Sequence, residues 1–296
     1  MKEWRKPNFF IIGAPKCGTT AMASYLDEHP EISISDPKEP HYLNVDLKYR
    51  PVDSLAGYER CFQHVTNDSI FIGDASVSYI YSSNAIDNIF NICAEPKLIV
   101  MIRNPIELSQ SYHSEQVWSG AESEKDFQRA WSLQAERKKG KSIPRLCKDP
   151  FWLQYKEISL MGKYIKNLLS KVDRSQVHIV VLDDMKINPL IEYEKILTFL
   201  GVKSDGRIEF PIVNEKKSPK NRLVVPLMSW LISIKVKLGN PKINLGLIKS
   251  VLEWNKKEPK GKELDPEFNK ILIEEFELDI NLLSRLLKRD FSYWMK

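Results

Sequence analysis

Apolar positions along the chain follow two patterns. Short unbroken runs ("FFII" before Gly13, "KLIVMI" before Arg103, "HIVVL" before Asp183) have the length and branched side chains of strands buried on both faces. Between them, apolar residues recur at three- and four-residue intervals. That spacing predicts helices over 19–28, 54–62, 83–93, 105–118, 124–138, 152–169 and 190–200, each with one buried face. Pro105 sits at a favoured first helical position, and Gly201 ends the last of these helices. "SIFIGDAS" reads as a further strand and loop. "HPEISISDPKEPHYLN" reads as a proline-rich loop holding a short extended piece, and "QVHIVVLDDM" as strand throughout. Residues 266–288 place Phe268, Leu272, Phe276, Ile280, Leu283 and Leu287 at helical spacing and close the fold.

Strands alternating with helices imply parallel βαβ units: an α/β fold with a central parallel sheet flanked by helices in three layers. Ligands of such sheets sit at the carboxyl ends of the strands. The loops after Ile12, Ile102 and Leu182 are therefore expected to approach one another. We expect one domain over 1–296, with 203–262, rich in lysine, proline and glycine breaks, as a loop-rich lid or insertion within it.

Charge narrows the partners. A net charge of +5 suits an anionic ligand and is too small and too spread out to argue for nucleic acid. The four cysteines, Cys17, Cys61, Cys93 and Cys147, form no C-x-x-C pair, so neither a zinc site nor a disulfide framework is signalled. Reduced thiols in a cytoplasm are the simpler expectation. The apolar start is short and runs straight into a loop, as a strand does and a signal peptide does not. The most apolar segment, 223–234, contains Pro226 and falls short of the roughly 20 residues a membrane span needs.

The loop after the first strand carries the chemistry. In "FFIIGAPKCGTTAMASYL", Gly13 and Gly18 have the spacing of a nucleotide-binding P-loop, G-x-x-x-x-G-K-[ST]. Thr19 stands where that lysine belongs, and Lys16 lies three residues earlier, inside the loop. A strand–loop–helix with these glycines presents backbone N–H groups, with the Thr19 and Thr20 hydroxyls, to an anion. Further on, Arg103 ends a strand and Ser111 lies eight residues later, about two helical turns away. Both are able to grip one phosphate, and equally to serve as a surface ion pair and a helix serine.

"GAPKCGTTAMASYLDEHPEI" resembles the phosphosulfate loop of sulfotransferases that use 3′-phosphoadenosine 5′-phosphosulfate (PAPS), in the branch of the heparan sulfate enzymes and their bacterial relatives. "LIVMIRNPIELSQSYHSE" is similar to that family's 3′-phosphate motif, "KEPHYL" to its acidic segment, and "HIVVLDDMKINPLIEYEKILTFLGV" and "LLKRDFSYW" to bacterial members. The resemblance implies a P-loop-like fold. It also implies PAPS as donor, 3′-phosphoadenosine 5′-phosphate as product, and no required metal. It assigns Lys16 to the oxygen that leaves with the 5′-phosphate, within a donor loop made of Lys16, Cys17, Gly18, Thr19 and Thr20. Arg103 and Ser111 match the 3′-phosphate ligands, although Leu108 replaces an arginine of some relatives. Glu39 matches the general base and His41 a histidine of the substrate cleft. Asn214, Lys220 and Arg222 match a late loop over the nucleotide. One departure concerns "DASVSY": Ala75 stands where several relatives have a lysine, so Asp74 and Ser76 shape the site differently.

Several residues stay open from sequence. His113 either faces the acceptor or packs. Trp152 and Tyr155 either stack on adenine or belong to the core. A P-loop kinase or NTPase is the first rival reading, since "HIVVLDD" offers an acid at a strand end. A non-catalytic module binding PAPS or its product is the second. The acceptor is a carbohydrate or a small natural product.

Overall fold

The computed structural model describes residues 4–211, 218–219, 256–257 and 264–296. The described residues divide into two compact units.

The first unit, residues 1–108, 160–213 and 277–296, holds a five-stranded sheet. Its strands are β1 (Phe9–Gly13), β2 (Ile32–Ile34), β3 (Phe71–Asp74), β4 (Lys97–Ile102) and β5 (Val177–Val181). They lie in the order β2-β3-β1-β4-β5, and every pairing is parallel. Every residue of β1 is buried, because this strand lies at the centre with helices on both faces. The helices of this unit include α1 (Thr19–Asp27), α2 (Leu55–Arg60), α3 (Ala85–Ile92) and the first turn of α4 (Pro105–Ser119). Close packing at the sheet centre needs Gly73: a Cβ there would lie 2.3 Å from Phe9 Cζ.

From β1 the chain goes to the edge strand β2, returns to β3 beside β1, then crosses to β4 and β5 on the other side. That reversal opens a crevice at the carboxyl ends of the strands, where ligands of such sheets bind.

The second unit contains the described residues among 109–159 and 214–276. It holds most of α4, then α5 (Phe127–Ser132), α6 (Gln134–Lys138) and α7 (Tyr155–Ser159). Its core is pinned by a buried ion pair: Arg137 donates to Glu122 at 2.5 and 2.9 Å, and the Tyr155 hydroxyl donates to the same carboxylate at 2.6 Å. Leaving one partner of such a pair alone costs about 3–5 kcal/mol. A two-residue ladder pairs β6 (Ser218–Pro219) with β7 (Lys256–Lys257).

Three elements differ from the sequence expectation. The helix expected over 152–169 is divided into a 3-10 turn (Pro150–Leu153), α7 and α8 (Met161–Leu169). Gln154 and Leu160 have non-helical dihedrals, and Leu160 is where the chain passes from the second unit to the first. The start of α8 is then capped from outside: Asp279 accepts the Gly162 and Lys163 N–H groups, each at 2.8 Å. The helix expected over 124–138 breaks at Leu133 into α5 and α6. Finally, β5 stops at Val181, and Leu182–Ile187 forms α9. Asp183 and Asp184 fall in its first turn, where carboxylates complement the helix dipole.

α10 (Pro189–Leu200) follows the sequence closely. The Asn188 side chain caps it, Pro189 opens it and Gly201 closes it at φ 83. α11 (Pro266–Leu287) runs 22 residues. Among the described residues no helix is long and apolar enough to cross a membrane. The apolar segment 223–234 lies outside them, as do Asn214, Lys220 and Arg222.

Candidate active site

The loops that follow β1, β2, β3 and β4 all leave the same end of the sheet. The approach expected of them is observed. The Ala14 N–H donates to the Met101 carbonyl at 2.8 Å, and Arg103 Nη1 donates to the Lys16 carbonyl at 3.3 Å. A Cβ on Gly18 would come within 2.9 Å of Leu182 Cδ1.

Gly18 is the N-cap of α1 at φ 85, a conformation that favours glycine. No side chain caps this helix and its first turn holds no acidic residue. Its leading N–H groups and the positive end of its dipole are therefore left for an anion. Thr19 is buried and Thr20 half-buried at the same end. Lys16 adopts φ 63, which costs a residue with a Cβ roughly 1–3 kcal/mol and recurs at functional sites. Cys17 is fully buried. Burial pushes its thiol up to about 12 despite the Arg103 and Lys16 charges, so it offers the ligand a backbone N–H and no thiolate.

The loop after β2 carries Glu39 and His41 and is fixed by the loop after β3. The Lys38 carbonyl accepts from Ser35 Oγ at 2.9 Å and from the Ala75 N–H at 3.3 Å. His41 is buried at φ 49, and its N–H donates to Ser76 Oγ at 2.9 Å. Its Nδ1 meets Ser78 Oγ at 2.6 Å and its Nε2 meets Glu39 Oε2 at 3.0 Å. With Ser78 donating to Nδ1, Nε2 carries the proton and donates to the carboxylate.

Below them lies Asp74, fully buried. It accepts from Ser76 Oγ at 2.6 Å, the Ser76 N–H at 3.0 Å, Tyr79 at 2.7 Å and Tyr58 at 2.8 Å. Burial raises its carboxyl, and those hydroxyls offset the shift only in part. Asp74 thus holds Ser76, and Ser76 holds His41.

The other oxygen of Glu39 belongs to a lysine the sequence reading did not single out. Lys38 Nζ lies 2.5 Å from Glu39 Oε1 and 3.4 Å from Thr20 Oγ1. Burial alone would raise the Glu39 carboxyl. The His41 hydrogen bond and the Lys38 charge outweigh it and hold the group at about 2. Glu39 is still a third exposed, so it is open to a reactant.

Arg103 stands at the end of β4, with its Nε and Nη2 on Glu107 Oε2 at 2.9 and 2.7 Å. Glu107 is more exposed than Arg103, so the arginine lies beneath a screened, replaceable partner. Ser111 is half-buried two turns along α4, in the portion assigned to the second unit.

Other candidates fall to packing. His113 is buried, its ring 5.4 Å from both Phe127 and Tyr155, with Nε2 2.9 Å from the Glu124 carbonyl. Burial lowers its pKa. Tyr155 is fully buried on Glu122, so it is core. Trp152 packs its ring 5.0 Å from Phe151. Asp183 accepts from Trp294 Nε1 at 2.8 Å, and Asp184 accepts both terminal nitrogens of Arg289. Both acids of "HIVVLDD" are thus engaged by the C-terminal segment, which counts against the kinase-like use of either.

The sequence profile of the family described as Sulfotransferase domain matches residues 6–218. Among curated relatives, the membrane-associated sulfotransferase kil1 of Dictyostelium discoideum is 35% identical over 115 residues, covering 38% of this chain and 24% of that protein. Human carbohydrate sulfotransferase 15 is 26% identical over 288 residues, covering 78% of this chain and 50% of that protein. The chain thus spans a quarter to a half of the length of these relatives. Among solved structures, the sulfotransferase from Alicyclobacillus acidocaldarius superposes with a TM-score of 0.72 at 23% identity, covering 99% of this chain and 100% of that one. The likeness bears out the P-loop-like three-layer fold.

Proposed function

The chain belongs to the sulfotransferase family, and from that premise we propose that it transfers a sulfonyl group from PAPS to a hydroxyl or amine of a carbohydrate. One observation carries the reading. A single ammonium, Lys38, touches both Glu39 and Thr20, so a carboxylate base and the anion-binding start of α1 flank one small space.

In the transfer, an acceptor oxygen or nitrogen forms a bond to sulfur. The bond from sulfur to the bridging oxygen of the 5′-phosphate breaks, and its electron pair stays on that oxygen. Glu39 takes the acceptor's proton. Lys16 and the leading N–H groups of α1 offset the charge that grows on the leaving phosphate, which is electrostatic stabilisation by preorganised groups. No step calls for a metal ion.

A carbohydrate acceptor is favoured by the relatives named for it, one of which aligns with 78% of this chain. The test is transfer from labelled PAPS, in EDTA, to a panel of polysaccharides, oligosaccharides and small phenols and alcohols. Label on the carbohydrates is expected. Label on the small molecules alone would move the acceptor class, and transfer that needs added Mg²⁺ would revive the kinase-like reading.

Arg103 is proposed to hold the donor's 3′-phosphate, a role the resemblance also gives Ser111. Wild type is expected to bind adenosine 3′,5′-bisphosphate roughly 10- to 100-fold more tightly than AMP, the effect of about 1.5–3 kcal/mol from hydrogen bonds to a charged group. Arg103→Ala should erase most of that difference. Glu107→Gln, which removes the resident competitor for Arg103, should enlarge it. Calorimetric titration of the three proteins with both nucleotides checks this. Equal affinities in the wild type would overturn the assignment.

A further inference from the structure

Glu39 has both oxygens engaged, one by His41 Nε2 and one by the Lys38 ammonium. A general base works best with a pKa near the operating pH. A carboxylate held at about 2 by these two contacts is a poor proton acceptor, so they suppress it as a base. The groups facing it are Lys38 and His41 on its own loop, Thr20 from α1, and Tyr49, whose hydroxyl is raised by burial and by the Glu39 charge. Of these, His41 is buried and tied to Ser76 and Ser78, whereas Lys38 has a flexible stem and already reaches Thr20.

We propose that Lys38 is a donor-sensing positioning residue: when an anionic donor occupies the start of α1, its ammonium moves from Glu39 Oε1 to the donor oxygens beside Thr20, and the freed oxygen becomes the site that takes the acceptor's proton. The inference rests on the donor and base reading above. The physical cause is competition for one cation. A phosphosulfate brings more negative charge than a single carboxylate, and it arrives where the helix N-terminus binds it. The base is released only when a nucleotide anion occupies the start of α1.

The test uses the full chain with carboxyl-¹³C-labelled glutamate, the Glu39 signal being identified by its loss in Glu39→Gln. The signal is titrated with pH, with and without adenosine 3′,5′-bisphosphate. In wild type the nucleotide should raise the Glu39 pKa by about 1–3 units, the size of losing a near cation. In Lys38→Met the pKa should start higher and the nucleotide should raise it by clearly less. Lys38→Gln serves if the methionine variant does not fold, and Lys38→Arg should keep the full response. An equal rise in wild type and in the neutral variants would show simple repulsion by the ligand and overturn the inference alone. Failure of the nucleotide to bind wild type would overturn the donor reading together with it.

Discussion

Glu39→Gln is expected to lower kcat by roughly 10²–10⁴ at saturating donor, the usual contribution of a positioned general base. Glutamine keeps the side-chain shape. Its carbonyl oxygen still accepts from His41 or Lys38, so the loop and the affinity for adenosine 3′,5′-bisphosphate should barely change. What is lost is the carboxylate proposed to take the acceptor's proton. The pH dependence has a definite sign. The Glu39 carboxyl lies below its unfolded value, held at about 2 after the His41 and Lys38 contacts outweigh burial. Its ion-pair contribution to stability is present above the ordinary carboxylate range of about 4.3. That contribution is lost progressively as pH falls from there through about 2. The free enzyme therefore keeps Glu39 ionised across the neutral and mildly acid range, and kcat/KM should show no acid limb from it there. Steady-state rates and nucleotide titrations on wild type, Glu39→Gln and His41→Ala check the assignment. An active Glu39→Gln beside an inactive His41→Ala would move the base to His41.

The strands and the donor loop were legible because their signals are local. "FFII" and "LIVMI" are short, unbroken apolar runs, and both lie in interior strands. Gly13, Lys16 and Gly18 sit in one turn whose form follows from its own sequence. Helix boundaries failed where a distant residue decides them. Asp279 starts α8 and Trp294 and Arg289 hold the acids of α9, none of which a window around either helix contains. Lys38 was missed for a related reason. It precedes Glu39, and neighbours in an extended loop point to opposite sides unless something turns the chain. Here His41 at φ 49 and the anchors from Ser35 and Ala75 do so. The same contact bears on the departure at Ala75. A cation does stand beside Glu39, but it comes from the loop after β2. Asp74 and Ser76 shape the site through His41, a chain of hydrogen bonds across 35 residues of sequence.

Lys16→Ala should leave much of the nucleotide affinity and remove the turnover. The loop amides, Thr19, Thr20 and Arg103 remain to hold the two phosphates. The charge that grows on the bridging oxygen loses the ammonium proposed to offset it. Removing one donor aimed at a developing negative charge typically costs about 2.7–4 kcal/mol, or roughly 10²–10³ in kcat. The backbone supplies a control that separates chemistry from folding. Lys16 holds φ 63, where any residue with a Cβ is disfavoured and glycine is not. Lys16→Gly and Lys16→Ala should therefore be equally slow, while thermal unfolding finds the glycine variant more stable than the alanine variant by about 1 kcal/mol. Loss of rate that tracks loss of stability across the two variants would make Lys16 a structural residue of the turn. A rate loss common to both, with stability split in favour of glycine, assigns its ammonium to the leaving phosphate. The left-handed backbone is then the strain accepted for aiming a lysine from inside the loop.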